Sequence, residues 1–204
     1  MEIVCLDMEG TLTPEIWERV ALNTGIEELG QTTRDIPSYE KLMDMRLHIM
    51  SEKGIMLSDV QEAAASLELL PGAFDFVSNL RKNFQVVILS DTFHDIAKPL
   101  MKKLGFPFLL CHNLEIDNDR IISYKLRHPK AKHQAISYFK QMGYRCFAAG
   151  DSHNDIQMFE IADKGFFINA PKKISSLHPE IDSFDSYNDL EEAILKHSIY
   201  VDHE

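Results

Sequence analysis

The sequence predicts an α/β protein with a doubly wound parallel sheet and a small inserted helical cap domain. Short apolar segments rich in β-branched and aromatic residues alternate with amphipathic helical patterns along most of the chain. Such alternation favours right-handed crossovers between parallel strands, as in a Rossmann-like sheet. The chain has 204 residues, 45% of them hydrophobic, which is enough for one domain with an insertion.

Each element of the predicted sheet region has its own pattern. The predicted strands are four apolar segments, at residues 3–6, 86–89, 144–149 and 165–168. The predicted helices span residues 73–83, 93–104, 132–142 and 154–162. The stretch LEIDNDRIISYKL, residues 114–126, predicts a hairpin that turns at Asn118 and Asp119 and joins the main sheet.

The alternation is interrupted between the first two strands. Residues 14–70 contain only helical patterns, at residues 14–23, 39–53 and 58–67, and this stretch is too long for a single crossover. We therefore expect two domains. The α/β core comprises residues 1–13 and 71–204, and the helical cap comprises residues 14–70.

Charge and hydrophobicity argue against several classes of partner. The net charge of −11 and the lack of a densely basic stretch argue against nucleic acid. No apolar run reaches the roughly 20 residues that cross a bilayer, and the start MEIVCLD lacks the basic region of a signal peptide. An odd number of cysteines among apolar neighbours predicts a reducing, cytoplasmic location; they are Cys5, Cys111 and Cys146.

Polar side chains follow three of the predicted strands at the point where each strand ends. The first strand ends in Asp7 and Glu9, the second in Ser90-Asp91-Thr92, and the third leads into GDSHND, residues 150–155. Ligands in open α/β sheets bind beyond the carboxyl ends of the strands. Because capping alone explains one such strand end more easily than three, the pattern predicts a functional site at this edge.

Phosphoryl transfer through an aspartyl phosphate uses this set of groups. Asp7 would attack phosphorus, and Glu9, two residues further on, would act as the general acid and base. Mg²⁺ between the two anions would bind Asp7, a backbone carbonyl near Glu9, and Asp151. The hydroxyl of Ser90, backbone N–H groups after it, and one lysine would hold the remaining phosphate oxygens.

These motifs resemble those of the haloacid dehalogenase superfamily of phosphatases. DMEGT is similar to the first motif, DxDxT, with Glu9 in place of the second Asp; Ser90 in ILSDT matches the second motif, and GDSHND matches GDxxND. The lysine of the third motif is Lys130 or Lys132 in HPKAKHQAI, and the spacing to the helix favours Lys132. The resemblance implies a doubly wound core and a helical cap inserted between the first two motifs.

Within the superfamily the chain most resembles phosphoserine phosphatases, and among them a branch that also transfers phosphate to homoserine. The cap stretch TTRDIPSYEKLMDMRL carries this likeness. It implies phosphoserine as substrate, with Glu15 meeting its ammonium group, Arg46 its carboxylate, and Asn154 the substrate or the phosphate. It also implies that Asp155 orients metal-bound water or the lysine.

Several alternatives remain open at this point. The resemblance places Asp91 and Thr92 beside the phosphate, but the residues themselves give no reason for an acid at position 91. The enzyme could hydrolyse another small phosphorylated metabolite. A receiver-like signalling module and a dehalogenase are less favoured, because neither uses all of these groups. The sequence does not decide between water and homoserine as acceptor, or between a monomer and a homodimer.

Overall fold

The computed structural model of the protein describes residues 1–200, which form a seven-stranded sheet in the order β4-β3-β2-β1-β5-β6-β7. All neighbouring strands are parallel except β3 and β4, which are antiparallel. The strands are β1 (Glu2–Leu6), β2 (Gln85–Phe93), β3 (Phe108–Asp117), β4 (Arg120–Lys125), β5 (Arg145–Gly150), β6 (Lys164–Ile168) and β7 (Asp182–Phe184).

Helices cover both faces of the sheet. Side chains of β1 alternate between two hydrophobic clusters, with Val4 and Leu6 in one and Ile3 and Cys5 in the other. A parallel sheet needs apolar cover on both faces, and β1 is buried along its whole length. The helices are α1 (Ile16–Thr24), α2 (Tyr39–Lys53), α3 (Leu57–Ser66), α4 (Ala73–Asn83), α5 (His94–Lys103), α6 (Ala131–Gln141), α7 (Ile156–Phe159), α8 (Lys172–Ser175) and α9 (Tyr187–His197).

The predicted doubly wound α/β fold is confirmed. The predicted hairpin is also present, and its turn residues Asn118 and Asp119 have φ values of 46° and 67°, as a tight two-residue turn between antiparallel strands requires. Between residues 14 and 70, all of which the structure describes, there are three helices (α1, α2 and α3), a turn of 3-10 helix at Glu27–Gly30 and no strand. The division into a core and a cap domain stays a prediction.

Three predictions of local structure differ from the structure. The helix expected at residues 154–162 is instead a turn of 3-10 helix, His153–Asp155, followed by the four residues of α7. Asp155 holds this turn, because its Oδ2 accepts a hydrogen bond of 3.0 Å from the Ser152 N–H. Strand β3 begins before the hairpin and pairs with β2, and β2 continues past Leu89 through a register shift that ends at Phe93.

The two chain connections between the sheet and the helical segment, residues 14–70, lie next to each other. The Leu70 N–H donates a hydrogen bond of 2.9 Å to the Leu12 carbonyl, which joins the chain leaving the sheet to the chain returning to it. The hairpin turn provides a second link, since the Asp119 carboxylate accepts hydrogen bonds from Ser58 at the start of α3. Among residues 1–200, no helix combines the length and the apolar character needed to span a membrane.

Candidate active site

Three buried carboxylates meet beyond the carboxyl ends of β1 and β5. Oxygens of Asp7, Asp151 and Asp155 lie within 4.8 Å of one another. Burial, and then the charge of Asp155, raise the pKa of Asp151 to about 7 and raise that of Asp7 well above its usual value. Hard oxygen ligands crowded in this way suit a divalent cation such as Mg²⁺, which would relieve their mutual repulsion. The residues present therefore fit a metal site.

Lys132, at the start of α6, joins two of these acids. Its Nζ lies 2.8 Å from Asp7 Oδ1 and 2.7 Å from Asp155 Oδ1, and the residue is 2% exposed. Burial disfavours the charged ammonium, but the charges of Asp155 and Asp7 outweigh burial and raise the pKa of Lys132. Lys130 is exposed to solvent. The geometry thus brings Lys132 to the candidate nucleophile and supports the choice made from its spacing.

Gly10 makes room for Asp151. Its φ of 79° lies in the left-handed region, and a Cβ at this position would stand 2.5 Å from the Asp151 carboxylate oxygens. A larger residue would be strained in that conformation and would displace the acid. The glycine of DMEGT is therefore required both for the turn after β1 and for the position of Asp151.

Glu9 turns back from the end of β1 towards the first helix. Its Oε1 accepts a hydrogen bond of 2.8 Å from the Ile16 N–H. Burial is the largest influence on Glu9, followed by the charge of Glu15, and together they raise the pKa of Glu9 to about 8. At neutral pH the carboxyl is therefore mostly protonated, as a general acid must be before it gives up its proton.

The second motif lies in the irregular part of β2. The Ser90 Oγ accepts a hydrogen bond of 3.2 Å from the Thr92 N–H, which leaves the Ser90 hydroxyl proton free for another acceptor. Asp91 follows with its Oδ2 2.9 Å from Asn154 Nδ2, so the second motif is in contact with the GDSHND turn, residues 150–155. Both Ser90 and Thr92 are buried.

A cavity between the helical segment and the sheet connects these groups. Eight of the predicted site residues line it, among them Glu15 and Arg46, while Lys132, Asp151 and Asp155 lie at its acidic end in contact with one another or with Asp7. The full lining is Asp7, Glu9, Glu15, Trp17, Thr32, Thr33, Arg34, Tyr39, Leu42, Arg46, Ser90, Asp91, Thr92, Ser152 and Asn154.

Arg46 is a buried cation in this cavity. Its guanidinium lies 4.3 Å from the centre of the Trp17 ring, and its Nη2 donates a hydrogen bond of 2.6 Å to the Gln31 carbonyl. Its Nε has no hydrogen-bond partner within the described part of the chain. Burial lowers the pKa of Arg46 to about 10, so it keeps its charge at neutral pH. Burial also raises the pKa of Glu15.

Among the cavity residues that sequence reasoning missed, Arg34 and Tyr39 make polar contacts with predicted site residues. The Arg34 Nη2 lies 3.1 Å from Asp151 Oδ2 and 3.7 Å from Glu15 Oε1, and the Tyr39 hydroxyl donates a hydrogen bond of 2.7 Å to the Asp91 carbonyl. Arg34 follows two threonines in a loop, and Tyr39 is the first residue of α2. One signal in the sequence could have indicated Arg34: it is a basic residue in the segment 14–70, which is expected to lie over the acidic strand ends.

A doubly wound sheet with an acid pair after its first strand, a buried lysine and a GDxxND turn defines a class of hydrolase. The family model described as haloacid dehalogenase-like hydrolase matches residues 1–163, and the chain belongs to this family. A receiver-like signalling module does not fit this membership.

Two relatives are similar over nearly the whole chain. The chain is 50% identical to the phosphoserine phosphatase ThrH of Pseudomonas aeruginosa, over 97% of each chain. It is 48% identical to a phosphoserine phosphatase of Pseudomonas syringae pv. tomato, over 97% of this chain and 84% of the relative. Among solved structures, an apo phosphoserine phosphatase superposes with a TM-score of 0.77 at 21% identity, covering 96% of this chain and 98% of that one, which shows the shared fold.

Proposed function

We propose that the protein is a Mg²⁺-dependent phosphatase that hydrolyses phosphoserine through an aspartyl-phosphate intermediate. The observation that carries this proposal is that Asp7, Glu9, Glu15 and Arg46 line one cavity. Asp7 can act as the nucleophile and Glu9 as the protonated acid, and Glu15 and Arg46 provide one acidic and one basic side chain. All four are thus available to a single small zwitterionic ester. The likeness to ThrH over 97% of the chain supports phosphoserine as that ester.

In the first half-reaction a carboxylate oxygen of Asp7 attacks phosphorus, and the bond from phosphorus to the serine oxygen breaks. Glu9 gives its proton to the departing serine oxygen, which its pKa of about 8 allows at neutral pH. In the second half-reaction the Glu9 carboxylate takes a proton from water as the water oxygen attacks phosphorus. The bond from phosphorus to Asp7 then breaks, and inorganic phosphate leaves.

The acidic end of the cavity would hold the metal. Asp7, Asp151 and the backbone carbonyl of Glu9 would bind Mg²⁺, and Asp155 would orient metal-bound water or Lys132. When bound, Mg²⁺ offsets the repulsion between the Asp7 carboxylate and the incoming phosphate. Lys132 also reduces this repulsion, because its ammonium group contacts Asp7 at 2.8 Å.

Groups around the cavity would hold the two ends of the substrate. The Ser90 hydroxyl, the backbone N–H of Asp91 and Lys132 would hold phosphate oxygens, while Thr92 would lie beside the phosphate with its N–H on Ser90 Oγ. Asn154 would contact the phosphate or the serine moiety. Glu15 would meet the ammonium group. Arg46 would meet the carboxylate, and its Nε, which has no partner in the described residues, leaves donor capacity for this role.

Phosphate release from a panel of esters tests the proposal. Phosphoserine, phosphoethanolamine, phospholactate and glucose 6-phosphate are compared in Mg²⁺ and in EDTA, with Asp7→Asn as the inactive control. We expect phosphoserine to have the highest kcat/KM, the activity to require Mg²⁺, and Asp7→Asn to lose several orders of magnitude. A preference for the sugar phosphate would overturn the choice of substrate, and full activity of Asp7→Asn would overturn the mechanism.

We further propose homoserine as an acceptor that competes with water. Homoserine carries the same ammonium and carboxylate as serine, and Glu15 and Arg46 line the same cavity as Asp7. The hydroxyl of a homoserine held by these two side chains would face the phosphoaspartate, where Glu9 would remove its proton. Phosphohomoserine among the products would distinguish this transfer from plain hydrolysis.

A further inference from the structure

A buried histidine lies behind the second motif and has no role in the chemistry above. His112 belongs to β3 and is 3% exposed. Its Nε2 lies 3.5 Å from Asp91 Oδ1, and its Nδ1 accepts a hydrogen bond of 3.1 Å from the Arg127 N–H. Burial of a polar ring is costly unless both nitrogens find partners, and here each nitrogen faces one.

The Arg127 N–H fixes which nitrogen of His112 carries the proton. A backbone N–H can only donate, so Nδ1 must be the acceptor nitrogen of the ring. The proton of the neutral ring is then on Nε2, the nitrogen that faces the Asp91 carboxylate. The neutral imidazole therefore presents its N–H donor to Asp91 while Nδ1 accepts from Arg127.

Asp91 in turn fixes the side-chain amide of Asn154. An ionised carboxylate only accepts hydrogen bonds, so Asn154 must direct its Nδ2 towards Asp91 Oδ2, at 2.9 Å, and cannot flip. Burial opposes ionisation of Asp91, but the charge of Lys132 and hydrogen bonds from His112 and Asn154 outweigh burial and hold the pKa of Asp91 well below its usual range. The Tyr39 hydroxyl holds the carbonyl of the same residue.

We propose that His112 is a positioning residue of the active site, which holds the Asp91 carboxylate and, through it, the orientation of the Asn154 amide in the cavity. This gives the acid at position 91 a role besides any backbone contact with phosphate. The kinetic consequence rests on the proposed phosphoserine activity, whereas the orientation of the ring and of the amide does not.

Two amide substitutions separate the two nitrogens of the ring. In His112→Gln the side-chain NH₂ reaches approximately the place of Nε2 and still donates to Asp91, whereas in His112→Asn the side-chain oxygen replaces Nδ1 and nothing reaches Asp91. We expect His112→Gln to stay within about threefold of the wild type in kcat/KM for phosphoserine, and His112→Asn to lose about tenfold, as for one charge-assisted hydrogen bond. His48→Asn, at a mostly exposed histidine of α2, is the matched control.

Nuclear magnetic resonance provides a test that does not need activity. In protein labelled with ¹⁵N-histidine, His112 should show a protonated Nε2 and an unprotonated Nδ1. The Asn154 side-chain NH₂ signals, assigned with Asn154→Ala, should shift in His112→Asn and in Asp91→Asn but not in His48→Asn. Asp91→Asn serves if His112→Asn does not fold.

The outcomes separate the positioning role from the proposed function. A protonated Nδ1, unchanged Asn154 signals in the folded variants, or equal loss of kcat/KM in His112→Gln and His112→Asn would each overturn the positioning role. If the wild type does not hydrolyse phosphoserine, the proposed function fails, and the ring and amide signals still decide the role of His112.

Discussion

The Glu9 carboxylate accepts a hydrogen bond from the Ile16 N–H, at 2.8 Å, and so caps the first helix of the 14–70 segment. The candidate general acid is thus tied to the helical segment as well as to β1. An aspartate at this position has one methylene less and a correspondingly shorter reach. Because an unpaired N–H at a buried helix start costs free energy, this hydrogen bond stabilises both the start of α1 and the position of the Glu9 carboxyl group.

Glu9→Gln should make folding stability less dependent on pH. Folding raises the pKa of Glu9 from 4.5 to about 8, so the folded state binds this proton more tightly than the unfolded chain. The contribution of Glu9 to stability is therefore full below pH 4.5 and is lost as pH rises through 8, by on the order of a few kcal/mol.

Urea unfolding in EDTA at pH 5 and at pH 8 measures this dependence for the wild type and for Glu9→Gln. The wild type should lose stability towards pH 8, and the variant should lose less, because Gln keeps an acceptor for Ile16 but has no proton to release. Asp7 and Asp151, whose pKa values are also raised, leave part of the dependence in place. If the variant and the wild type lost the same stability between pH 5 and pH 8, the raised pKa of Glu9 would be contradicted.

Lys132→Met should destabilise the protein strongly, and Lys130→Met should not. Removing the ammonium group leaves Asp7 and Asp155 buried without their shared partner, which costs about 3–5 kcal/mol when one member of a buried ion pair is deleted. Lys130 is exposed, and its loss should stay within about 0.5 kcal/mol.

Unfolding in urea at pH 8 and phosphate release from phosphoserine distinguish the two lysines. Lys132→Met should lose both stability and turnover, and Lys130→Met should keep both. The opposite pattern would mean that Lys130 serves the phosphate in solution and that the contact of Lys132 with Asp7 is needed neither for stability nor for turnover.

Much of the site could be predicted because its residues follow strand ends. Asp7 and Asp151 directly follow β1 and β5, and Ser90 lies in β2 directly after Leu89, where the regular pairing with β3 shifts. These three strands are neighbours in the sheet. Parallel strands place their carboxyl ends at one edge, so the sequence alone brings the three residues together. The pattern needs no knowledge of side-chain packing.

The remainder of the site depends on contacts between distant parts of the chain. His112 contacts Asp91 and Arg34 contacts Asp151, and residues so far apart in the chain leave no local sequence pattern.

The short helix α7 was mispredicted for a local reason. The Asp155 carboxylate accepts a hydrogen bond from the Ser152 N–H and so competes with regular helix. The strand β7 has three residues, too few for a clear periodic signal.

Arg46→Ala should weaken phosphoserine more than phosphoethanolamine, which has no carboxylate for Arg46 to bind. Loss of one buried charge-assisted hydrogen bond costs about 1.5–3 kcal/mol, or about ten- to a hundredfold in kcat/KM. Because Arg46 also stacks on Trp17 and binds the Gln31 carbonyl, part of the loss is common to both esters.

The ratio of kcat/KM values for the two esters removes this common part. Lys41→Ala, at an exposed lysine on the same helix, is the control and should leave the ratio unchanged. An equal loss for both esters in Arg46→Ala would mean that Arg46 serves the structure of the cavity and not recognition of the carboxylate.

Homoserine should divert phosphate from water when it is added to a phosphoserine reaction. A closed cavity excludes bulk water, so the acceptor in place after serine departs decides between hydrolysis and transfer. At fixed phosphoserine and rising homoserine, phosphorus NMR should show a growing phosphohomoserine signal and a falling share of inorganic phosphate. Ethanolamine, with no carboxylate, should divert less phosphate, and Arg46→Ala should reduce the difference between the two acceptors.

Two outcomes would contradict this prediction. Unchanged phosphate release without a new ester signal would leave water as the acceptor. Transfer to homoserine that is undiminished in Arg46→Ala would show that Arg46 does not select the acceptor.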